Sequence, residues 1–179
     1  MSQEYRELLI GCGNSRVKKF DCDEKGAEWH NLITLDIDPS CVPIILHDLN
    51  VLPYPIDDNY FDEIHAYDVL EHCGMPGDYE FFFSQFAEFW RILKPDGLLC
   101  ATVPHYFSPW AWGDPGHTRV INDCSLVFLS QEQYAMQVGK TQMTDYRAFY
   151  KADFEIVMSE YTNDLRFVFA IRAKKGERK

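Results

Sequence analysis

The feature that most constrains this chain is the stretch Leu8–Asn14, in which a short apolar run ends in Gly11-Cys12-Gly13. An apolar run bounded by glycines is typical of a fully buried strand in a parallel sheet. Glycine has no Cβ, so the backbone can turn sharply there and a ligand can approach it closely. Because ligands of open parallel sheets lie beyond the carboxyl ends of the strands, this turn is the first candidate for a binding site.

The rest of the chain alternates strand and turn patterns. Short apolar runs predict strands at 32–35, 43–46, 61–67 and 98–103, and a last pair at 154–158 and 165–171 separated by turn residues. Asp78 precedes aromatic residues at helical spacing, which predicts a helix that Asp78 caps and that Lys94-Pro95-Asp96-Gly97 ends. A short helix around Glu24–Trp29 is also expected. This order predicts an α/β fold with a doubly wound, mostly parallel sheet and an antiparallel edge.

Length and composition limit the class of protein. A chain of 179 residues is the size of a single domain, so we expect one domain over residues 1–179. No apolar run reaches the ~18–20 residues that span a bilayer, and the first residues lack a signal-peptide pattern, so we expect a cytoplasmic protein without membrane contact. The six cysteines lack C-x-x-C spacing, which favours reduced thiols over a zinc site. A net charge of −11 disfavours nucleic acid as a partner.

Acidic residues close the second and third predicted strands. Asp36 follows the glycine turn at a separation close to the roughly 20 residues between phosphate loop and ribose acid in dinucleotide sites. Its carboxylate can accept hydrogen bonds from two vicinal ribose hydroxyls. Asp48 can accept from an adenine amino group, and Leu49 can flank the ring. Together these residues suggest an adenosine-containing ligand across the strand ends.

Two common nucleotide sites are disfavoured by the residues after the turn. The dinucleotide fingerprint needs a small third residue, where this chain has Arg16. A phosphate loop of the Walker type is absent, because no Gly-Lys-Ser/Thr follows the turn.

Several segments, taken in order, resemble a known family. They are Leu9-Ile10-Gly11-Cys12-Gly13-Asn14, Leu35-Asp36-Ile37-Asp38-Pro39, His47-Asp48-Leu49, Leu52-Pro53-Tyr54-Pro55, Tyr60-Phe61-Asp62-Glu63-Ile64, Leu70-Glu71-His72 and Leu93-Lys94-Pro95-Asp96-Gly97-Leu98-Leu99. Their order and spacing over residues 8–104 resemble the successive motifs of class I S-adenosylmethionine-dependent methyltransferases.

This resemblance implies a seven-stranded sheet with an antiparallel last strand, S-adenosylmethionine as cofactor and S-adenosylhomocysteine as product. It also implies a cofactor site, formed by Gly11, Cys12, Gly13, Asn14, Asp36, Ile37, Asp48, Leu49, Tyr67 and Asp68. In it the two glycines approach the amino-acid part, Asp36 holds the ribose, Asp48 and Leu49 hold the adenine, and Tyr67-Asp68 line the methionine side. The family often has an acid where this chain has Leu9, so Asp68 is the candidate to hold the methionine ammonium instead.

The methyl acceptor is expected to meet the cofactor within residues 104–150, which we interpret as an acceptor-side insertion or lid. His105 follows the fifth predicted strand directly, and His117 lies close to Asp114, so both histidines are candidates for a general base or an acceptor-orienting group. For His105, the alternative is a ring that is hydrogen-bonded to a loop carbonyl and has no role in the reaction. For His117, the alternative is a plain turn. No ligand spacing supports a metal, so we expect none.

The favoured function is methyl transfer to an oxygen or nitrogen atom of a small molecule, a saccharide or a protein. One alternative is a non-catalytic binding or accessory subunit, which the departure at Leu9 motivates. A nicotinamide oxidoreductase is a third possibility, which Arg16 weakens. A homodimer or a partner subunit is compatible with each of these.

Overall fold

The computed structural model describes residues 4–21 and 26–176. Its strands are β1 Glu7–Ile10, β2 Leu32–Asp36, β3 Ile45–Leu46, β4 Phe61–Tyr67, β5 Leu93–Pro104, β6 Phe154–Tyr161 and β7 Arg166–Ala173. They form a seven-stranded sheet of order β3-β2-β1-β4-β5-β7-β6. Strand β7 runs antiparallel to both β5 and β6, and the other pairings are parallel. The predicted fold class is confirmed, including the antiparallel last strand.

In the described part of the chain, the α-helices lie after the fourth strand. They are α1 Tyr79–Ile92, α2 Pro109–Gly113, α3 Asp123–Val127 and α4 Gln131–Gln137, with single 3-10 turns at Pro39–Cys41 and Leu70–His72. Asp78 caps α1 as predicted, because its carboxylate accepts a hydrogen bond of 2.9 Å from the amide of Phe81. The aromatic stripe of α1 is buried in the main core against one face of the sheet. Among the described residues, no helix combines the length and the apolarity that a membrane span needs.

The opposite face of the sheet is covered by an irregular segment that follows β1. The expected short helix around Glu24–Trp29 lies partly outside the described residues, and the described residues 26–31 form bends instead of a helix. The aromatic rings of Phe20 and Trp29 pack against apolar side chains on this face. Lys18 of the same segment is buried, and its ammonium lies 2.7 Å from the Glu7 carboxylate. The segment is therefore attached to the sheet by both apolar contacts and an ion pair.

Two strand boundaries differ from the prediction. The third strand keeps only Ile45–Leu46, because Pro43 has no amide hydrogen and the amide of Ile44 donates to the Thr34 hydroxyl (3.0 Å). The fifth strand begins at Leu93, since Phe61 pairs with Leu93 and Glu63 with Leu98. The predicted turn at 94–97 is thus a bulge inside β5, where Asp96 has a φ of 62°.

Candidate functional site

The turn after β1 depends on its two glycines for different reasons. Gly11 has a φ of 60°, and a Cβ built there would lie 2.4 Å from Cγ2 of Val69, so only glycine fits. Gly13 has a φ of 47°, but a Cβ built there would meet nothing within 4 Å. The close contact with Val69 brings the β1 turn against the segment after β4, while Gly13 faces open space that a ligand can approach.

Asp36, at the end of β2, joins this turn. Its Oδ2 accepts a hydrogen bond of 2.9 Å from the amide of Gly13, and its Oδ1 accepts one of 2.9 Å from the amide of Asp38. Each carboxylate oxygen has a second lone pair, so Asp36 retains acceptor capacity for a pair of hydroxyls. Ile37 is exposed beside it. The predicted glycine turn and the predicted ribose acid are therefore in direct contact.

The residues predicted to hold an adenine lie after β3. Asp48 is half-buried, and its Oδ1 accepts hydrogen bonds from both the amide and the side chain of Asn50, at 2.8 and 3.0 Å. Leu49 is buried in the main core, and its carbonyl accepts a hydrogen bond of 3.2 Å from the Tyr54 hydroxyl. The carboxylate of Asp48 is thus more accessible than the side chain of Leu49.

The remaining two residues of the predicted turn differ in exposure. Cys12 is buried, and burial raises the pKa of its thiol, so it packs as a small apolar residue. Asn14 is exposed.

Asp68 follows β4 and carries the densest set of charged contacts at the strand ends. Its carboxylate contacts the ammonium of Lys19 at 2.8 Å, accepts a hydrogen bond of 3.2 Å from the Thr102 hydroxyl, and pairs with the guanidinium of Arg166. The neighbouring Tyr67 hydroxyl accepts from the backbone amide of Lys19 at 3.2 Å. One carboxylate and two cations therefore meet here. A ligand that carries both an ammonium and a carboxylate, as an amino acid does, would find a group of opposite charge for each.

A cavity of about 320 Å³ opens beside Asp68. Its lining includes residues after β4, residues after β5, and residues of the β6–β7 turn and the start of β7, among them Asp68, His72, Trp110, His117 and Arg166. The cavity thus lies where the carboxyl ends of the central strands converge.

His117 is one of the two histidines predicted to act on the acceptor, and it lines this cavity. Its side chain is 9% exposed, and its Nε2 lies 3.8 Å from Oδ2 of Asp114, so the predicted Asp–His pair is brought together. The amides of Thr118 and Arg119 donate to the carbonyl of Glu71, at 2.8 and 3.3 Å. These bonds hold the His117 loop against the segment after β4.

His105, the other predicted histidine, is placed differently. Its Nδ1 accepts a hydrogen bond of 2.9 Å from the amide of Phe107, and its ring packs against that of Tyr161 with centroids 4.4 Å apart. It adjoins Pro104, which lines the cavity, but it is not among the lining residues itself. Its contribution to an acceptor site stays a prediction.

The pattern of strand ends matches a known domain family. A family model described as a methyltransferase domain matches residues 8–101. The chain belongs to this methyltransferase domain family. Membership confirms the resemblance that the motifs indicated, and S-adenosylmethionine as the cofactor.

Solved structures share the fold of this methyltransferase domain at low sequence identity. An S-adenosylmethionine-dependent methyltransferase from Archaeoglobus fulgidus is 18% identical, with a TM-score of 0.55 over 96% of this chain and 86% of that one. The N-methyltransferase NodS of Bradyrhizobium japonicum, solved with S-adenosylhomocysteine, is 14% identical, with a TM-score of 0.55 over 96% and 79% of the two chains. A methyltransferase from Haloferax volcanii, solved with the activator Trm112, is 12% identical, with a TM-score of 0.57 over 98% and 86%. No curated protein sequence matches the chain.

The structure adds residues that sequence reasoning did not assign to the methyltransferase site. Glu71 and His72 line the cavity beside Asp68, and Lys19 and Arg166 pair with Asp68. Burial raises the pKa of the Glu71 carboxyl to about 7. For Glu71 and His72, the available signal was an acid and a histidine a few residues after β4. Arg166 gave none, because its approach to Asp68 depends on the pairing of β5 with β7.

Proposed function

We propose that this chain transfers a methyl group from S-adenosylmethionine to an oxygen or nitrogen acceptor bound in the cavity beside Asp68. The observation that supports this most directly is that Asp68 belongs both to the predicted methionine side of the cofactor site and to the wall of the cavity. A donor held on the strand ends would thus face the acceptor space.

The open space at Gly13 and the free acceptor capacity of Asp36 suit the cofactor. We assign the ribose hydroxyls to Asp36 and the adenine amino group to Asp48. The methionine ammonium is assigned to Asp68, and its carboxylate to Lys19 and Arg166. This arrangement replaces the acid that the family often has at the position of Leu9.

When bound, the cofactor supplies a methyl group on a sulfonium, which is already an activated leaving group. The chain would hold the acceptor with a lone pair toward that methyl group, and the proton that the acceptor loses on transfer would pass to a base in the cavity wall. Alignment in the cavity is the main requirement, and effective molarity can lower such a barrier by roughly 7–11 kcal/mol.

His117 is the residue that we propose to orient the acceptor and to take its proton, with Asp114 positioning the ring. His105 is the second candidate. It ranks behind His117, because the loop after β5 would have to move to bring the His105 ring to the cavity.

Residues 104–150 form the acceptor side in this proposal. Trp110 and Trp112 are 69% and 75% exposed, and Trp110 lines the cavity. Exposed indole rings beside a cavity favour an acceptor with a flat or apolar face, such as an aromatic molecule or a sugar ring. The strongly acidic surface favours a small molecule, a saccharide or a protein over nucleic acid.

The test is calorimetric titration with S-adenosylmethionine and S-adenosylhomocysteine, followed by transfer of a labelled methyl group to acceptor panels. We expect micromolar binding that is lost in Asp36→Ala and kept in Asp57→Ala, a matched change at an exposed acid. Absence of binding to the unmodified protein would overturn the proposal.

A partner subunit is the second candidate, because β3 forms an edge of the sheet, and β3 and the residues just before it present apolar side chains to solvent. Val42, Ile44 and Leu46 are 77%, 66% and 59% exposed. The Haloferax methyltransferase of the same fold was solved with an activator subunit. Turnover that appears only on adding a partner chain would support an accessory role or an activated complex.

A further inference from the structure

A group of metal-ligating side chains lies in the wall of the acceptor cavity. Glu71 and His72 come from the 3-10 turn after β4, and His117 comes from the loop after α2. Each offers one ligand atom, and these three atoms lie within 4.8 Å of one another. The separation of 4.6 Å between the two imidazole centroids shows how closely the two segments meet.

In both histidines, one ring nitrogen faces an oxygen acceptor. Nδ1 of His72 lies 3.0 Å from the carbonyl of Gly116, so Nδ1 carries the hydrogen and Nε2 carries the lone pair. Nε2 of His117 lies 3.8 Å from Oδ2 of Asp114, which favours the hydrogen on Nε2 and the lone pair on Nδ1. Metal-bound histidines are typically oriented in this way, by a carbonyl or carboxylate on the nitrogen that does not bind the ion.

The group also contains buried polar atoms without partners. Glu71 is 2% exposed, and its Oε2 makes no hydrogen bond within the described part of the chain. Nδ1 of His117 is likewise buried without a partner there. No described cation lies within 4 Å of the Glu71 carboxylate. Unpaired buried groups of this kind are costly, so a ligand for them is expected.

A second group of possible ligands gives a useful comparison. Glu7, Glu63 and His65 are also close together and fully buried. There the ammonium of Lys18 lies 2.7 Å from Glu7 and 3.5 Å from Glu63, so a cation of the chain itself already neutralises the carboxylates. The group at Glu71 has no such lysine among the described residues, and it opens to a cavity.

We propose that Glu71, His72 and His117 bind one divalent first-row transition-metal ion at the wall of the acceptor cavity. Two imidazoles and one carboxylate favour ions such as Zn²⁺, Mn²⁺ or Co²⁺ over Mg²⁺ and Ca²⁺, which prefer oxygen ligands. Three protein ligands leave coordination positions open toward the cavity.

The open positions define the acceptor class, and this part rests on the proposed function. A hydroxyl oxygen bound to the ion has a lowered pKa and releases its proton to solvent, and the oxygen then bonds to the methyl carbon as the carbon–sulfur bond breaks. With the ion bound, the lone pair of His117 is occupied, so His117 orients the acceptor through the ion instead of taking its proton. A hydroxyl acceptor is favoured over a protonated amine, which has no lone pair for the ion.

The test is metal binding to the chelator-treated protein. Co²⁺ is titrated while visible absorption is recorded, and Zn²⁺ is titrated by calorimetry. We expect one ion per chain and a higher Tm with Zn²⁺. His117→Gln and Glu71→Gln should each weaken binding at least tenfold, while His30→Gln, a change at an exposed histidine outside the cavity, should leave it unchanged. Absorption typical of cobalt bound to thiolate would instead assign the ion to cysteines and overturn the site.

Tm and circular dichroism of each variant in chelator establish that it folds. Equal Co²⁺ binding by all variants, or none by the unmodified protein, overturns the metal site. Titration with S-adenosylhomocysteine separates the two proposals. Cofactor binding without metal binding rejects this inference alone, whereas metal binding without cofactor binding rejects the proposed function.

Discussion

The amide of Gly13 donates a hydrogen bond of 2.9 Å to Oδ2 of Asp36, so the turn after β1 and the acid after β2 form one unit. Asp36 therefore has a structural function in addition to the binding function that we propose for it. Asp36→Asn keeps an acceptor oxygen for Gly13 but removes the negative charge that strengthens bonds from ribose hydroxyls. Hydrogen bonds to charged groups contribute roughly 1.5–3 kcal/mol, so we expect affinity for S-adenosylhomocysteine to fall about 10- to 100-fold. Calorimetry measures this, and an unchanged affinity would contradict the assignment of Asp36 to the ribose.

Asp68 can be tested separately from Asp36, because Asp68 is assigned to the methionine part of the cofactor and Asp36 to the ribose. Asp68→Asn should lower affinity for S-adenosylhomocysteine and leave that for methylthioadenosine, which lacks the amino-acid part, unchanged. Asp36→Asn should lower both. Equal losses for both ligands in Asp68→Asn would indicate that Asp68 acts by holding Lys19 and Arg166 in place, and not by contacting the methionine.

The relative placement of the proposed cofactor residues was largely predictable from sequence, and that of the proposed acceptor residues was not. Gly11, Gly13 and Asp36 lie within a few residues of strand ends, so placing the strands places them as well. Glu71 and His117 are separated by 45 intervening residues in sequence, and the hydrogen bonds from 118–119 to the Glu71 carbonyl bring them together. No periodicity or spacing in the sequence predicts that contact.

The fold shows the same division. The seven-stranded, mostly parallel sheet with its antiparallel last strand was predicted, but the segment between β1 and β2 lacks a helical stripe, and its attachment depends on the buried Lys18. In the sequence, nothing distinguishes Lys18 from the neighbouring cations Arg16 and Lys19. Only the placement of β1 and β4 side by side shows that Glu7 and Glu63 meet it on one face.

Gly11 is predicted to be required for stability and Gly13 mainly for binding. Gly11→Ala places a Cβ 2.4 Å from Val69 in a left-handed conformation, and such overpacking costs typically about 1–3 kcal/mol in addition to the backbone term. Gly13→Ala meets open space, so only the backbone cost of roughly 1–2 kcal/mol applies. Urea unfolding compares the two. Adding Val69→Ala should recover part of the loss in Gly11→Ala, and failure to recover any would contradict the steric explanation.

The ion pairs of Lys18 are expected to be essential for attaching the segment after β1. Its side chain and those of Glu7 and Glu63 are fully buried. Breaking a buried pair by removing one partner costs about 3–5 kcal/mol, so Lys18→Met should lower the free energy of unfolding by that amount. Lys140→Met, at an exposed lysine, is the control and should change it by less than about 0.5 kcal/mol. The double variant Lys18→Met/Glu7→Gln should lose less than Lys18→Met alone, because one uncompensated charge is removed.

The same cluster predicts how stability depends on pH. Burial alone would raise the pKa of the Glu63 carboxyl, but hydrogen bonds with His65 and Glu7 outweigh it, so the pKa lies well below the ordinary value of 4.5. The unfolded chain then binds a proton at higher pH than the folded chain does, so the contribution of Glu63 to stability is full above about pH 4.5 and is lost as the pH falls below it. Urea unfolding between pH 3 and pH 7 measures this, because the range spans the ordinary carboxyl pKa of 4.5. Glu63→Gln should show a shallower loss at acid pH than the unmodified protein. An identical pH profile in the two proteins would show that the Glu63 carboxylate is not the group whose protonation destabilises the sheet.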